Sequence, residues 1–539
     1  MDKAQLQRFA PWLLAIASGV LGFLGYVGFD QFYLQWVYLA VLLVAIQDAS
    51  PRRAFLIGWL MGTVGHTGGF YWVVHMLMVF AHLNLALSVV GLVAIAAINA
   101  LSFGLFAWAV RRVHLDTGWA VAWIAPVIWV GIAHFFPYIF PFYLAASQYR
   151  LLPLTQIADV TGILGVTFML VWCNAVLYEI YARRRSKRPF PTRPALAFGA
   201  ALVMVLGYGA LRIWQIDARV AQAPKLTAGL VQTNLGAADK HTNRRGFLQR
   251  HQEMSQEILQ QQPLDLLVWP EGAYSGHLAR PVERLTPSVL GPISTPIIFG
   301  ALTTGRDAEG KRKRYNSVIS AEEGRRALGV YDKRVLVPFG EYIPLGDTFP
   351  IIYKWSPYSG RYYQGESYAA LPLLGYKFSA NICYEDLFPG LVRDLMNRSA
   401  DGDGVLPHAL VNVTNDSWYG DTIEPMEHLV LASFRAIEHR RALLRSTNTG
   451  ISAIVDPVGR LDVRSGQWTS EVVVGEVPMM SGQTLFGLLG NWFGWACFVG
   501  LLFCLGQAFW IRRQRGPAKD PLSEPPPRKP NKRKRSKRR

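Results

Sequence analysis

The sequence predicts an α-helical membrane bundle of about eight spans joined to one water-facing, layered α/β domain. Three observations carry this. Of the 539 residues 51% are hydrophobic and the mean hydropathy is +0.18, too apolar for an ordinary soluble domain, yet 17% are charged, too many for a purely membrane-embedded chain. The two characters are segregated: long apolar runs fill 9–213 and 485–511, and polar sequence occupies about 222–482. Finally, the basic residues of the apolar part fall in alternate loops.

A spanning helix needs roughly 20 apolar residues. On that measure spans fall near 9–28, 33–47, 54–80, 84–110, 117–136, 156–181, 194–213 and 485–511. Cytoplasmic loops carry the excess of Lys and Arg. Arg52/Arg53, Arg111/Arg112 and the run from Arg183 to Arg193 lie in alternate loops, whereas the turns at 29–31 and 81–84 carry no base. Both termini are therefore expected in the cytoplasm and the polar domain on the opposite side. The first apolar run is too long for a signal-peptide core and is expected to be retained. The organisation follows as a seven-span domain over 1–221, a polar domain over 222–482, an eighth span over 483–511 and a tail over 512–539. That tail holds thirteen Lys/Arg against two acids and supplies most of the net charge of +18. It reads as a solvated topogenic segment with some attraction to anionic lipid, not as a nucleic-acid-binding arm.

Cys173, Cys497 and Cys504 lie in apolar runs, leaving Cys383 alone in the polar domain. No disulfide framework or cysteine-rich metal site is available there. An unpaired thiol in an oxidising compartment is a liability unless buried or used. Strands are expected over 225–232, 264–269, 296–302, 316–321, 327–333, 377–383, 409–415, 450–456 and 471–477, from short β-branched runs. Helices are expected over 245–261 and 424–444, from apolar residues at helical spacing. The Pro- and aromatic-rich stretch 134–150 reads either as an interfacial belt or re-entrant turn, or as the floor of a lipid-accessible site.

Three places in the polar domain can carry chemistry. Glu271, in Trp269-Pro270-Glu271, follows an apolar strand, where α/β folds put their sites but where solvated turn acids and helix caps also occur. Lys333 ends the strand 327–333; such a lysine is commonly a surface residue, but Glu341 can orient its ammonium if the turn at Pro338 and Gly340 folds back. Cys383 closes the strand 377–383 before a helix. This turn can expose the thiol and aim backbone N–H groups at an oxyanion; alternatively the cysteine is buried and inert. A free thiol is mostly protonated near neutral pH, so it needs a base or a cation beside it. Glu271 and Lys333 are the candidates. The Asn-x-Ser/Thr triplets at Asn397, Asn412 and Asn415 are treated as chance matches, and His66 and His75 as packed or interfacial residues.

Together, WPEG (269–272), YDKRVLVPFGEYIP (331–344), SANICYEDLFP (379–389), NDSWYG (415–420) and RSTNTGISAIVDPVGR (445–460) resemble the carbon–nitrogen hydrolase, or nitrilase, superfamily. With the membrane-part stretches GFYWV (69–73), FPFYLAASQ (140–148) and DVTGILGVTF (159–168), the likeness extends over nearly the whole chain to the bacterial apolipoprotein N-acyltransferase family. The resemblance implies an αββα sandwich outside the cytoplasm, on the periplasmic side of a bacterial inner membrane. It implies Glu271 as general base, Lys333 as cationic stabiliser and Cys383 as nucleophile, supported by Glu341 and Glu385, with Asn316, Tyr384 and Trp418 lining the substrate site. It further implies a phospholipid acyl donor and a diacylglyceryl-apolipoprotein acceptor among membrane lipids; no cofactor or metal is expected, and a monomer is expected because nothing in the sequence requires more than one copy. One departure is the segment VQTNLGAADKHTN (231–243), which lacks the tryptophan that family members often carry there. Two other readings stay open: a nitrilase-type amidase that is merely anchored, for which eight spans are excessive, and a lipid-binding or transport scaffold, for which the spans offer few charges.

Overall fold

A computed structural model describes residues 3–236, 244–306, 310–338, 340–343, 361–400 and 402–515. Most of the basic tail and part of 231–243 lie outside these.

The apolar part consists of helices α1 (Lys3–Leu24), α2 (Tyr38–Ile46), α3 (Pro51–Gly69), α4 (Val73–Phe80), α5 (Leu85–Asn99), α6 (Leu101–Thr117), α7 (Val121–Phe135), α8 (Ile163–Arg185) and α9 (Thr192–Gln222). Their ends follow from local chemistry. Ser50 accepts a hydrogen bond from Arg53 N and is followed by Pro51, a residue suited to the first helical turn. Asn84 Oδ1 accepts from Leu87 N at 3.0 Å to start α5, and Gly118, at φ +73°, ends α6. Four described helices are long and apolar enough to cross a membrane: Leu85–Thr117, in which α5 and α6 run together, Ile163–Arg185, Thr192–Gln222 and Trp492–Gln514. Shorter apolar helices occur at Arg8–Leu24, Phe32–Ile46 and Val121–Phe135. Large apolar side chains on α9, among them Leu196, Val203, Met204 and Trp214, point outward, as lipid-facing positions require.

Three expected spans are broken, 156–181 of them at Gly162, φ +68°, so that its long helix begins at Ile163. The run 54–80 divides after Gly68 and Gly69, weak helix formers, and Trp72 turns toward the polar domain. The run 485–511 divides at Gly490, φ +64°, so the long helix begins at Trp492.

The polar part is two facing six-stranded sheets. The first contains β1 (Lys225–Gln232), β2 (Leu266–Ala279), β3 (Ile297–Arg306), β4 (Arg312–Ala321), β5 (Ala327–Asp332) and β12 (Glu471–Pro478), in the order β12-β1-β2-β3-β4-β5. The second contains β6 (Leu371–Leu373), β7 (Tyr376–Ile382), β8 (Ala409–Thr414), β9 (Ala442–Thr447), β10 (Ala453–Val455) and β11 (Val463–Arg464), in the order β11-β10-β9-β8-β7-β6. Leu230, Val268, Ile298 and Val318 of one sheet meet Phe378, Ile382, Val411 and Leu444 of the other. Helix α10 (Arg244–Gln261) covers the outer face of the first sheet through Met254 and Leu248. Helices α11 (Pro389–Arg398) and α12 (Glu424–His439) cover the second through Val392, Met396, Leu429 and Ala436. The layering is αββα.

The structure departs from the sequence reading at several edges, among them the start of β4 at Arg312 instead of 316 and the end of β3 at Arg306 instead of 302, and three departures bear on the site. The helix expected over 424–444 stops at His439, because Arg440 turns left-handed (φ +52°) and Ala442–Thr447 forms a central strand, buried on both faces and hence without alternation. β2 continues past Glu271, with irregular pairing between Trp269 and Tyr274, so Glu271 lies within a strand instead of at its end. A 3-10 turn, Cys383–Leu387, separates the cysteine from the following helix.

The sandwich is seated on the bundle through polar bonds. Arg440 pairs with Asp159 at 2.8 Å, Glu438 Oε1 accepts from Ile163 N at 3.0 Å, Trp72 Nε1 donates to Glu427 at 3.1 Å and Arg460 pairs with Asp217 at 2.7 Å. Asp159 also takes Arg212 (3.0 Å) and the Tyr208 hydroxyl (2.7 Å). The stretch 134–150 packs at this junction: Phe142 rests against Tyr26 and His66, and Leu144–Gln148 forms a buried 3-10 turn.

Candidate functional site

The parallel strands β1, β2 and β3 of one sheet and β7, β8 and β9 of the other end on the same side of the sandwich, and the candidate residues gather there. Lys333 follows directly on β5 and is 1% exposed. Its Nζ lies 2.9 Å from Glu341 Oε2 and 3.9 Å from Glu271 Oε1. Glu341 does come back to the strand's end, as its orienting role requires: Val337 N donates to Glu341 Oε2 at 2.9 Å. Asn316, opposite on β4, bridges the two acids, donating to Glu271 at 2.6 Å and to Glu341 at 2.9 Å.

Cys383 is buried, at φ +54°. A non-glycine residue there is strained and needs surrounding bonds to hold it. They are present: Asn412 Nδ2 donates to the Cys383 carbonyl at 3.0 Å, and Glu385 Oε2 accepts from Ile382 N at 2.8 Å. Glu385 is fully buried and also accepts from Arg334 N (2.6 Å), Val335 N (2.9 Å) and the Tyr331 hydroxyl (2.9 Å). Burial pushes its carboxyl up to about 7, against those backbone donors and Lys333.

The charges of Glu271, Lys333 and Cys383 act on one another. Burial, then Glu271, raises the Cys383 thiol far above its ordinary value, while Lys333 pulls it down. The thiol thus stays protonated until a base takes its proton. Burial opposes the charge of Lys333, but Glu341, Glu271 and Cys383 outweigh it and keep the ammonium protonated. Tyr384, half-buried against Phe388, is pushed up to about 12 by burial, with Lys333 opposing. Trp418 lies in the 3-10 turn Asp416–Tyr419, whose Tyr419 packs edge-on against Trp72 at 5.1 Å. The structure therefore gathers Glu271, Lys333, Glu341, Asn316, Cys383 and Glu385 at one locus, with Tyr384 beside it and Trp418 toward the bundle.

One set of residues escaped the sequence reading. Asn381, Asn412 and Arg445 stand side by side on β7, β8 and β9. Asn412 Nδ2 donates to Asn381 at 2.6 Å and Arg445 Nη1 to Asn412 Oδ1 at 2.7 Å. Arg445 also pairs with Asp386 at 2.9 Å and Asp416 at 3.0 Å, and His428 joins the same two acids at 2.9 and 3.2 Å. Burial and Arg445 oppose a charge on His428, yet Asp386 and Asp416 lift it to about 10. Lone polar residues inside the runs SANI, LVNVT and LLRST were the available signal. Asn412 is wholly buried, so its triplet is a structural coincidence. Asp416, Glu424 and His428 also bring potential metal-ligand atoms within 4.8 Å of one another. The Arg445 guanidinium already occupies the cation's place against Asp416, so a charge network fits this cluster better than a metal.

This geometry suits acyl transfer: a protonated thiol, a carboxylate able to take its proton, and a fixed cation where an oxyanion would form. Among known families, the apolipoprotein N-acyltransferase N-terminal domain matches residues 18–176 and the carbon-nitrogen hydrolase domain residues 227–485. The apolipoprotein N-acyltransferase of Geobacter metallireducens is 29% identical over 507 residues, covering 92% of this chain and 95% of that protein. That of Azotobacter vinelandii is 29% identical over 535 residues, covering 95% and 97%. Among solved structures, Saccharomyces cerevisiae Nit3, a member of the nitrilase superfamily, aligns with 47% of this chain and 90% of its own at 21% identity and a TM-score of 0.35. With the membrane-domain and hydrolase-domain families matched in succession, and relatives aligned over nine-tenths of its length, the chain belongs to the apolipoprotein N-acyltransferase family.

Proposed function

We propose that this enzyme N-acylates lipoproteins in two steps through a thioester on Cys383. The observation that carries the reading is the buried lysine between two acids, Glu271 at 3.9 Å and Glu341 at 2.9 Å, beside a thiol held in a left-handed turn. In the first step Glu271 takes the proton of Cys383 as Sγ attacks the acyl ester of a membrane phospholipid. Lys333 stabilises the tetrahedral oxyanion, the ester C–O bond breaks, and Glu271 returns the proton to the departing lysophospholipid. In the second step the α-amine of a diacylglyceryl-cysteine attacks the thioester and gives its proton to Glu271. The C–S bond then breaks, an amide forms, and Cys383 recovers the proton. Glu341 and Asn316 orient Lys333 and Glu271, Glu385 braces the cysteine turn, and Tyr384 and Trp418 line the path of the substrates.

The chain is read as a multi-pass inner-membrane enzyme of about eight spans, with both termini cytoplasmic and the sandwich on the periplasmic side. The alternate placing of basic loops and the outward apolar faces support this. Intact-mass measurement after incubation with a defined phospholipid tests the chemistry. A fatty-acyl increment on wild type, absent from Cys383→Ala and discharged by a diacylglyceryl lipopeptide, is the expected result. Hydrolysis of simple amides with no adduct would replace the reading with an anchored amidase.

A further inference from the structure

The residues so far described act at the acyl carbon, but a basic row leads away from them. Asn316 shares with Val318 and Ser320 the face of β4 that looks into the sandwich, where Ser320 Oγ donates to Pro372 O across the sheets. Strand alternation puts Arg314 and Arg312 on that same side, beyond the closed part of the core, and both are exposed. At about 3.4 Å per residue they lie about 7 and 14 Å from Asn316 along the strand. His277, on the extension of β2, comes to the same place: it pairs with Leu302 of β3, which in turn faces Asn316. After burial, Arg314, Arg312 and Arg244 are the charges that depress the His277 imidazole. Among the described residues no acid pairs with these three arginines.

The row lies at the end of the sandwich where the candidate residues gather, since Asn316, further along the same strand, donates to Glu271. The turn after β8 is the one that meets α4, through Tyr419 and Trp72. Strands β2 and β3 run past Glu271 in that same direction, and β4, antiparallel to β3, starts there.

We propose that Arg312 and Arg314 form a subsite for the phosphodiester of a glycerophospholipid whose acyl ester lies at Cys383. This rests on the acyl-donor reading above and adds how the donor is recognised. A guanidinium fork pairs with two phosphate oxygens at once, a geometry an ammonium does not reproduce. In a glycerophospholipid the phosphate stands one glycerol unit from the ester, a reach comparable with the about 7 Å between Asn316, which is bonded to Glu271, and Arg314. The phosphodiester is common to headgroups of different charge, so such a subsite selects the lipid class without selecting the headgroup.

The test compares full-length wild type with the Arg312→Gln/Arg314→Gln double variant in neutral detergent micelles. Acyl-enzyme formation is followed by intact mass with phosphatidylethanolamine, phosphatidylglycerol and a phosphate-free long-chain p-nitrophenyl ester as donors. The ratio of phospholipid rate to ester rate at low donor concentration is expected to fall about tenfold or more for both phospholipids, as for loss of charge-assisted hydrogen bonds. Inorganic phosphate is expected to inhibit wild type with the phospholipids and not with the ester. An unchanged ratio, including a parallel loss with all three donors, overturns the subsite. A loss confined to phosphatidylglycerol also overturns it, leaving only attraction to an anionic surface. Wild type that forms no adduct with any donor rejects the acyl-enzyme reading itself, a distinguishable failure.

Discussion

Glu271→Gln should make Cys383 easier to ionise and yet less able to accept an acyl group. The two effects follow from the two roles of one carboxylate. As a charge, Glu271 raises the thiol's pKa, second only to burial. The scale of such a charge is given by its neighbour: at 3.9 Å from Lys333 Nζ, a unit charge acts with about 4 kcal/mol at an effective dielectric of about 20. Since about 1.4 kcal/mol is a tenfold change in acidity, removing Glu271 should bring the onset of thiolate formation down by at least about one pH unit. As a base, the same carboxylate takes the proton during attack, and general-base catalysis contributes about 10²–10⁴-fold. Two assays on the same protein separate the roles. Alkylation of Cys383 by iodoacetamide, followed by mass against pH, should begin at lower pH in Glu271→Gln than in wild type. Acyl-enzyme formation from phospholipid near neutral pH should fall at least about a hundredfold. An alkylation profile that stays in place or moves to higher pH, or acyl transfer within about tenfold of wild type, would refute the protonated-thiol mechanism.

Other perturbations reach the supporting structure. Arg445→Met leaves Asp386 and Asp416 buried with only His428 between them, and should destabilise the sandwich by about 3–5 kcal/mol, read as a lowered midpoint of thermal unfolding. His428, whose pKa is raised from 6.5 to about 10 in the folded state, contributes stability that is complete below pH 6.5 and lost as pH rises through about 10. The midpoint should therefore fall between pH 7 and 10 in wild type and fall less steeply in His428→Gln. Asp159→Asn removes the charge that holds Arg440 and Arg212 at the junction; it should cost about 3 kcal/mol and speed limited proteolysis between bundle and sandwich, whereas a cleavage rate equal to wild type would contradict the junction role. Lys333→Met should abolish acyl-enzyme formation while leaving iodoacetamide able to reach Cys383, an outcome measured by mass on one sample.

The parts of the site that were legible in the sequence share one property. Glu271, Lys333 and Cys383 each interrupt or close an apolar run, so a chemically able side chain stands where the β pattern changes. Glu341 was legible through its spacing from Lys333 and the Pro/Gly turn between them. The Asn381–Asn412–Arg445 row was not, because each member sits alone within its strand and only parallel pairing brings them into line. β9 was hidden for a related reason: a strand covered on both faces loses its alternation, and ALLRST extends the helical spacing of the preceding segment. The bundle shows the same limit. Hydropathy sums over 54–80 and 485–511 do not register that Gly68-Gly69 and Gly490 break the helices, because one or two residues carry the break and a window average conceals it.

Glu385 has a mechanical consequence. Its two oxygens tie Ile382, ahead of the nucleophile in one sheet, to Tyr331, Arg334 and Val335, around the lysine leaving the other. The carboxylate is a rivet through both plates of the sandwich, so the spacing of thiol and ammonium is insulated from bending in either plate. A lipid therefore meets a pre-set jaw, and the motions that admit and release it have to pivot around that rivet.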